Sequence, residues 1–177
     1  MGATVFACPA AIGRHAAGPG SAGVPHIEST MQWYPGVVVV GHGVASGRNK
    51  QDQFPGGALT LQAPHFAARG LDVSQYHPGT INVDLAPLRV ELVQPHLTIP
   101  MLTWLEGYPA DTFSFVHAAI GHVGSHYPAT VFYPHPETKP EHQQPPGVVE
   151  LMAEFVPGIA PGVHLGVGLE PAEMRAV

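Results

Sequence analysis

The sequence predicts a mainly β domain, a barrel or a sandwich of many short strands with one or two short helices. Three observations carry that expectation. The 21 glycines and 20 prolines among 177 residues break the chain at short intervals, which suits strands and turns better than long helices. Apolar and polar residues alternate over several short runs, the period of a half-buried strand. The best helical periodicity is confined to one segment near the C-terminus.

The elements follow in order. Residues 1–30 are rich in Ala, Gly and Pro without sustained periodicity and read as a flexible leader. The single domain is expected to span 31–177, beginning near Met31. A first strand is expected over Gly36–Val40, continuing through Gly43–Ser46, followed by a polar loop from Arg48 to Gly57. "ALTLQ", Ala58 to Gln62, suits a short strand, and "PHFAARG" a helical turn or two stopped by Gly70. "YHPGTINVDLAP", Tyr76 to Pro87, turns at His77-Pro78-Gly79 and then alternates as a strand. "LRVELV" alternates likewise, "TIPMLTWLEGY" is an apolar run ended by Gly107, and "TFSFVHAAIGHV" and "ATVFYP" read as two further strands. Pro134 to Pro146 is a Pro-rich loop, long for a compact domain and therefore a functional candidate. In "PGVVELMAEF", Val148, Leu151, Met152 and Phe155 stand at i, i+3, i+4 and i+7, which predicts a helix between Pro146 and Gly158. "GVHLGVGL" closes the chain as a strand.

Composition narrows the function classes. Charged residues make up 11% of the chain and the net charge is −6, which disfavours a sequence-independent grip on nucleic acid, since that needs clustered Lys and Arg. Cys8 is the lone cysteine, so an internal disulfide is impossible. No run approaches the roughly 18 apolar residues of a membrane span, and no basic segment opens a secretory signal. The expectation is a cytoplasmic protein with a small-molecule partner and neither nucleic acid nor membrane as target. Oligomeric state is left open.

Four constellations can carry chemistry. Strand alternation puts Thr80, Asn82 and Asp84 on one face. Such oxygen donors suit Mg2+, which takes one or two protein groups and completes its shell with water and phosphate; the same pattern also describes a strand with one solvated face. The Gly-rich "GHGVASGRNK" offers backbone amides with Arg48 and Lys50 for a phosphate, or else a plain turn. His117, His122 and His126 cluster in sequence, but Gly121 and Gly124 interrupt them and their spacing is poor for zinc. Thr138 and Lys139 in the Pro-rich loop, with Glu150 and Glu154 on one side of the expected helix, can face a ligand cleft or simply solvent.

Taken together, "VASG" at Val44–Gly47, "HPGTINVDL" at His77–Leu85 and "VVELMAE" at Val148–Glu154 resemble, in the same order, the motifs of the archaeal-type CTP-dependent riboflavin kinases. The likeness covers roughly Pro35 to Leu169. It implies a six-stranded cradle-loop β-barrel, a kinase transferring phosphate from CTP to riboflavin to give FMN, with Mg2+ as cofactor. By position it implies Thr80 and Asn82 at the metal, Thr138 and Glu150 at the flavin, and Glu154, Phe155, Val156 and Pro157 at the nucleotide, whose phosphates the loop residues Gly47, Arg48 and Lys50 are expected to bind. The chain departs from the family after Gly47, where a longer loop with Arg48 and Lys50 stands in place of a compact Gly-x-Gly run. A binding barrel without catalysis, or a different reaction on the same fold, is the alternative reading.

Overall fold

The structure, a computed structural model, describes residues 30–42, 54, 56–139 and 144–177. The expected leader, the continuation over Gly43–Ser46, and Gly47, Arg48 and Lys50 lie outside the described residues.

The chain order is β1 (Gln32–Val39), α1 (Ala58–Ala67), β2 (Ile81–Asp84), β3 (Val90–Leu92), β4 (Leu97–Leu102), β5 (Asp111–His122), β6 (Ser125–Pro134), β7 (Val148–Ala153), β8 (His164–Leu169) and β9 (Met174–Ala176). The main sheet runs β4-β5-β6-β7-β2-β1-β8, and β8 pairs back onto β5. Every one of these pairings is antiparallel. Six strands therefore close into a barrel, with β4 added outside it. β3 and β9 form a separate two-stranded sheet. The expected mainly β barrel with a short helix is the fold observed.

β5 explains the closure. Its first half pairs with β4, as in Phe115 opposite Leu97, while its second half pairs with β8 from Ala118 to Gly121. One strand thus exchanges partners along the same edge. Alternation then sorts the side chains. Tyr34 and Val38, Val83 and Leu85, Val116, Ala118 and Ile120, Val149, Leu151 and Ala153, and Leu165, Val167 and Leu169 all fill the interior. A six-stranded ring is narrow, and Gly36 shows how narrow: a Cβ there would come within 2.5 Å of Val83 Cγ1.

A second apolar cluster lies on the other face of β5, β6 and β7, under α1. Phe66 is fully buried there, meeting Phe113 and Phe115 edge-on at ring-centroid distances of 5.3 and 5.1 Å. Among the described residues no helix is long and apolar enough to cross a membrane.

Two expectations are corrected. Val148–Ala153 is strand β7, not a helix. Val149, Leu151 and Ala153 point into the barrel while Met152 packs under α1. A strand buried on both faces is apolar almost throughout, and in six residues such a run imitates i, i+3, i+4 spacing. The Val148-Val149 pair, β-branched and stiff, favours the extended form. Conversely, "ALTLQ" is not a strand but the start of α1, which continues to Ala67. Its buried residues Ala58, Leu59, Gln62 and Phe66 follow a helical spacing, partly masked by Pro64 inside the helix. The short strand β9 was not expected.

Phe66 anchors the helix to the barrel, so Phe66→Ala is expected to cost about 3–5 kcal/mol, the range for truncating a buried aromatic. Urea unfolding of the variant would measure it through a lower midpoint.

Candidate functional site

At one end of the barrel β1 and β7 finish and β2 and β8 begin. The turn His77–Gly79 delivers the chain to β2 there, with the His77 amide donating to the Ala153 carbonyl at 2.8 Å and the Tyr76 hydroxyl 2.9 Å from Thr130 Oγ1. Register then sets Asn82 directly opposite Glu150. Facing pairs in an antiparallel sheet have their Cβ atoms about 4.5–5.5 Å apart, so the two side chains meet.

They join a polar cluster. Thr80 Oγ1 donates to Glu150 Oε2 at 3.1 Å and accepts from Asn82 Nδ2 at 3.5 Å. The Gln144 amide donates both to Asn82 Oδ1 at 2.9 Å and to Glu150 Oε1 at 2.8 Å. Asn82 is 8% exposed, and its amide lies against the backbone of Gly41, where a Cβ would stand 2.2 Å from Nδ2 and 2.8 Å from Oδ1. That glycine is what leaves the amide its place.

The cluster edges a cavity of about 310 Å³. Its walls include Val40, Gly41 and His42 after β1, Thr80 and Asn82 of the turn and β2, Glu150, Glu154 and Phe155 of β7 and its exit, and Gln62 of α1. Phe155 and Val40 are 71% and 80% exposed, giving the rim two apolar surfaces; the His77 ring stands 6.1 Å from that of Phe155. Gln62 is 1% exposed, yet its Nε2 has no hydrogen-bond partner among the described residues. A buried donor left unpaired costs about 1–3 kcal/mol, so this amide favours an acceptor placed in the cavity.

A second depression of about 310 Å³ adjoins the first. The two share Phe132, Pro134, Lys139, Gln144 and Glu150. Val90, Tyr133, Pro136 and Met174 line the second alone. Burial first, and Glu137 second, raise the Tyr133 phenol above its ordinary pKa, so it remains a proton donor through neutral pH.

Seven residues singled out from the sequence, Thr80, Asn82, Lys139, Glu150, Glu154, Phe155 and Val156, line the first cavity together. Glu150 reaches it from a strand rather than from the expected helix. Thr138 and Pro157 line neither cavity. The Thr138 hydroxyl instead accepts from the Thr112 amide at 2.9 Å and donates to the His135 carbonyl at 3.2 Å, tying the turn to the start of β5. Asp84 lies off the cavity and accepts from the Ala86 amide at 2.9 Å. Gln62 was not anticipated, and Gly41, His42 and Gln144 were anticipated only as parts of the Gly-rich stretch and the Pro-rich loop, not as individual residues. Among the described residues, His122 and His126 do not join His117 in a metal-compatible group.

The donors fit a hard divalent cation. Thr80 Oγ1, Asn82 Oδ1 and the Glu150 carboxylate are all oxygen, the ligand class that Mg2+ takes. The Gln144 amide protons already lie between Asn82 Oδ1 and Glu150 Oε1, where positive charge is favoured. No protein-family model matches the chain, and no curated protein matches it.

Gly41→Ala tests the cradle. The atoms it would strike belong to a side chain, not to backbone, so stability should fall by no more than about 1–2 kcal/mol while the Asn82 amide turns away. A changed Asn82 side-chain amide resonance in NMR, with the fold retained, is the expected result.

Proposed function

We propose that this barrel transfers a phosphoryl group from CTP to riboflavin, giving FMN, with Mg2+ bound at Thr80 and Asn82. The observation that carries the reading is the meeting of two cavities of similar volume at Glu150, Gln144 and Lys139, beside an oxygen cluster suited to Mg2+. Group transfer between two ligands needs such a junction, because the reacting atoms must approach within about 3–3.5 Å. The sequence motifs around Thr80, Asn82 and Glu150 support the choice of substrates.

In this scheme the terminal ribityl hydroxyl oxygen of the flavin attacks the γ-phosphorus. The bond from that phosphorus to the β-phosphate oxygen breaks, CDP leaves with the electron pair, and the hydroxyl proton passes to the Glu150 carboxylate. Mg2+, when bound, supplies neutralisation of the phosphate charge. Phosphoryl transfer asks little else of a protein than positioning and electrostatics. Thr80 and Asn82 orient the phosphate end, Lys139 contributes a cation at the junction, and Phe155 with Val40 offers flat apolar contact to a base. The Gln62 amide is free to donate to a ring carbonyl.

A second reading, binding without transfer, is favoured by the longer loop after Gly47, which lacks the compact glycine run. One assay separates the two. Protein is incubated with riboflavin, Mg2+ and either CTP or ATP, and FMN is followed by chromatography. The expected outcome is FMN with CTP, reduced at least about 100-fold by Asn82→Ala, since even outer-shell changes at metal sites cost 10–100-fold. Glu150→Gln should lower the rate by about 100-fold or more, in the range general acid–base groups contribute. Thermal stabilisation by riboflavin or CTP without FMN would establish the binding module. No response to either ligand would refute both.

A further inference from the structure

We propose that His96, His117 and Glu173 form a binding site for a divalent transition-metal ion of the zinc class, at the place where β5 changes partners. None of the three lines either cavity, so the site is separate from the proposed transfer centre.

The three residues come from distant segments. His96 directly precedes β4, His117 lies midway along β5, and Glu173 directly precedes β9. β5 is paired with β4 as far as Phe115 and with β8 from Ala118 onward. His117 falls in the gap, and its amide donates to Glu173 Oε2 at 2.7 Å. The carboxylate thus substitutes for a missing ladder partner.

That role alone leaves the rest unexplained. Nδ1 of His117 stands 2.7 Å from Glu173 Oε1, and Nδ1 of His96 is 3.7 Å from Glu173 Oε2. The two imidazoles stack with centroids 4.1 Å apart and planes 30° from parallel. One potential ligand atom from each residue lies within 4.8 Å of the others. A tetrahedral ion bonded at about 2.0–2.2 Å needs its donors roughly 3.3–3.5 Å apart, so closure asks for side-chain movements of about 1 Å. Two imidazoles and one carboxylate are a donor set that zinc accepts, with a fourth position left for water. An ion such as Mg2+ would prefer oxygen throughout.

A supporting bond is in place too. Metal ligands are ordinarily held by outer hydrogen bonds that fix their orientation. Here the His117 amide holds the Glu173 carboxylate. The side chains of His96, His117 and Glu173 are 23%, 42% and 14% exposed, open enough for an ion to enter. A bound ion would replace the hydrogen bond between His117 Nδ1 and Glu173 Oε1, any proton on Nδ1 passing to the other ring nitrogen or to solvent. The bound ion would then cross-link the start of β4, the middle of β5 and the β8–β9 turn.

The test uses the full chain, stripped with a chelator and titrated with Zn2+, or with Co2+ for its visible spectrum. One equivalent should bind, and zinc at about a hundredfold above Kd should raise Tm by roughly 5–10 °C. His96→Ala and Glu173→Gln should each weaken binding at least tenfold, while His126→Ala, outside the group, should leave it unchanged. His96 is at the surface and Gln retains an acceptor for the His117 amide, so both variants are expected to fold; should Glu173→Gln fail to do so, His96→Ala alone decides. Absence of saturable binding, or binding that His96→Ala leaves intact, overturns the proposal.

Discussion

The partner exchange of β5 is the constraint on which the rest of the structure depends. A twelve-residue strand (Asp111–His122) holds β4 with one half and β8 with the other, and only the second pairing closes the ring. Closure removes the two free edges that an open sheet of these strands would present to solvent. It also fixes how much room the inside has. Six strands leave space for side chains and nothing more, hence the alanines at 118, 129 and 153 and the glycine at 36 among larger residues. A ligand cannot enter such a core. It must bind at an end of the barrel or on its flank, and that is where the two cavities lie.

The same constraint decides what could be read beforehand. Strands that alternate large apolar residues with small or polar ones, such as β8 with Leu165, Val167 and Leu169 inward, carry a clear period of two, and their existence was legible. β7 was not, because α1 covers its outer face and Met152 is as buried as Leu151. Burial on both sides erases alternation, and what remains is an apolar run that length and propensity must interpret. The helix failed for the complementary reason. Only part of α1 is apolar, since it packs on the barrel by Leu59 and Phe66 and turns Gln62 toward the cavity.

Site residues sorted the same way. The turn-and-strand motif exposed Thr80 and Asn82 because their types and spacing are local. Glu150 was found through its motif although its element was misassigned, since residues 150 and 154 share a side in an extended segment as well as in a helix. The roles of Gln144, Gly41 and Gln62 could not be found locally. Each owes its place to a contact between segments far apart in the chain: Gln144 to Asn82 across 62 positions, Gly41 to the same amide, Gln62 to a cavity walled mostly by loops at the strand ends.

Thr80, Asn82 and Asp84 show how far a shared face carries. Period two places them together, yet their work diverges with distance from the barrel rim. Asp84, farther in along the strand, caps a turn through the Ala86 amide, and a Cβ on Gly147 would stand 3.2 Å from its Oδ1. Thr80 and Asn82, at the rim, reach the cavity. Of these Asn82 is the pivot, because its amide touches Gly41 just after β1, Thr80 of its own segment and Gln144 ahead of β7. Asn82 Oδ1, an oxygen that a cation would take, is one of the two acceptors that the Gln144 amide now bridges. A cation there would therefore compete with the Gln144 bridge. Whatever occupies the cavity is felt by the chain that leads into β7, and through Glu150 by both cavities at once.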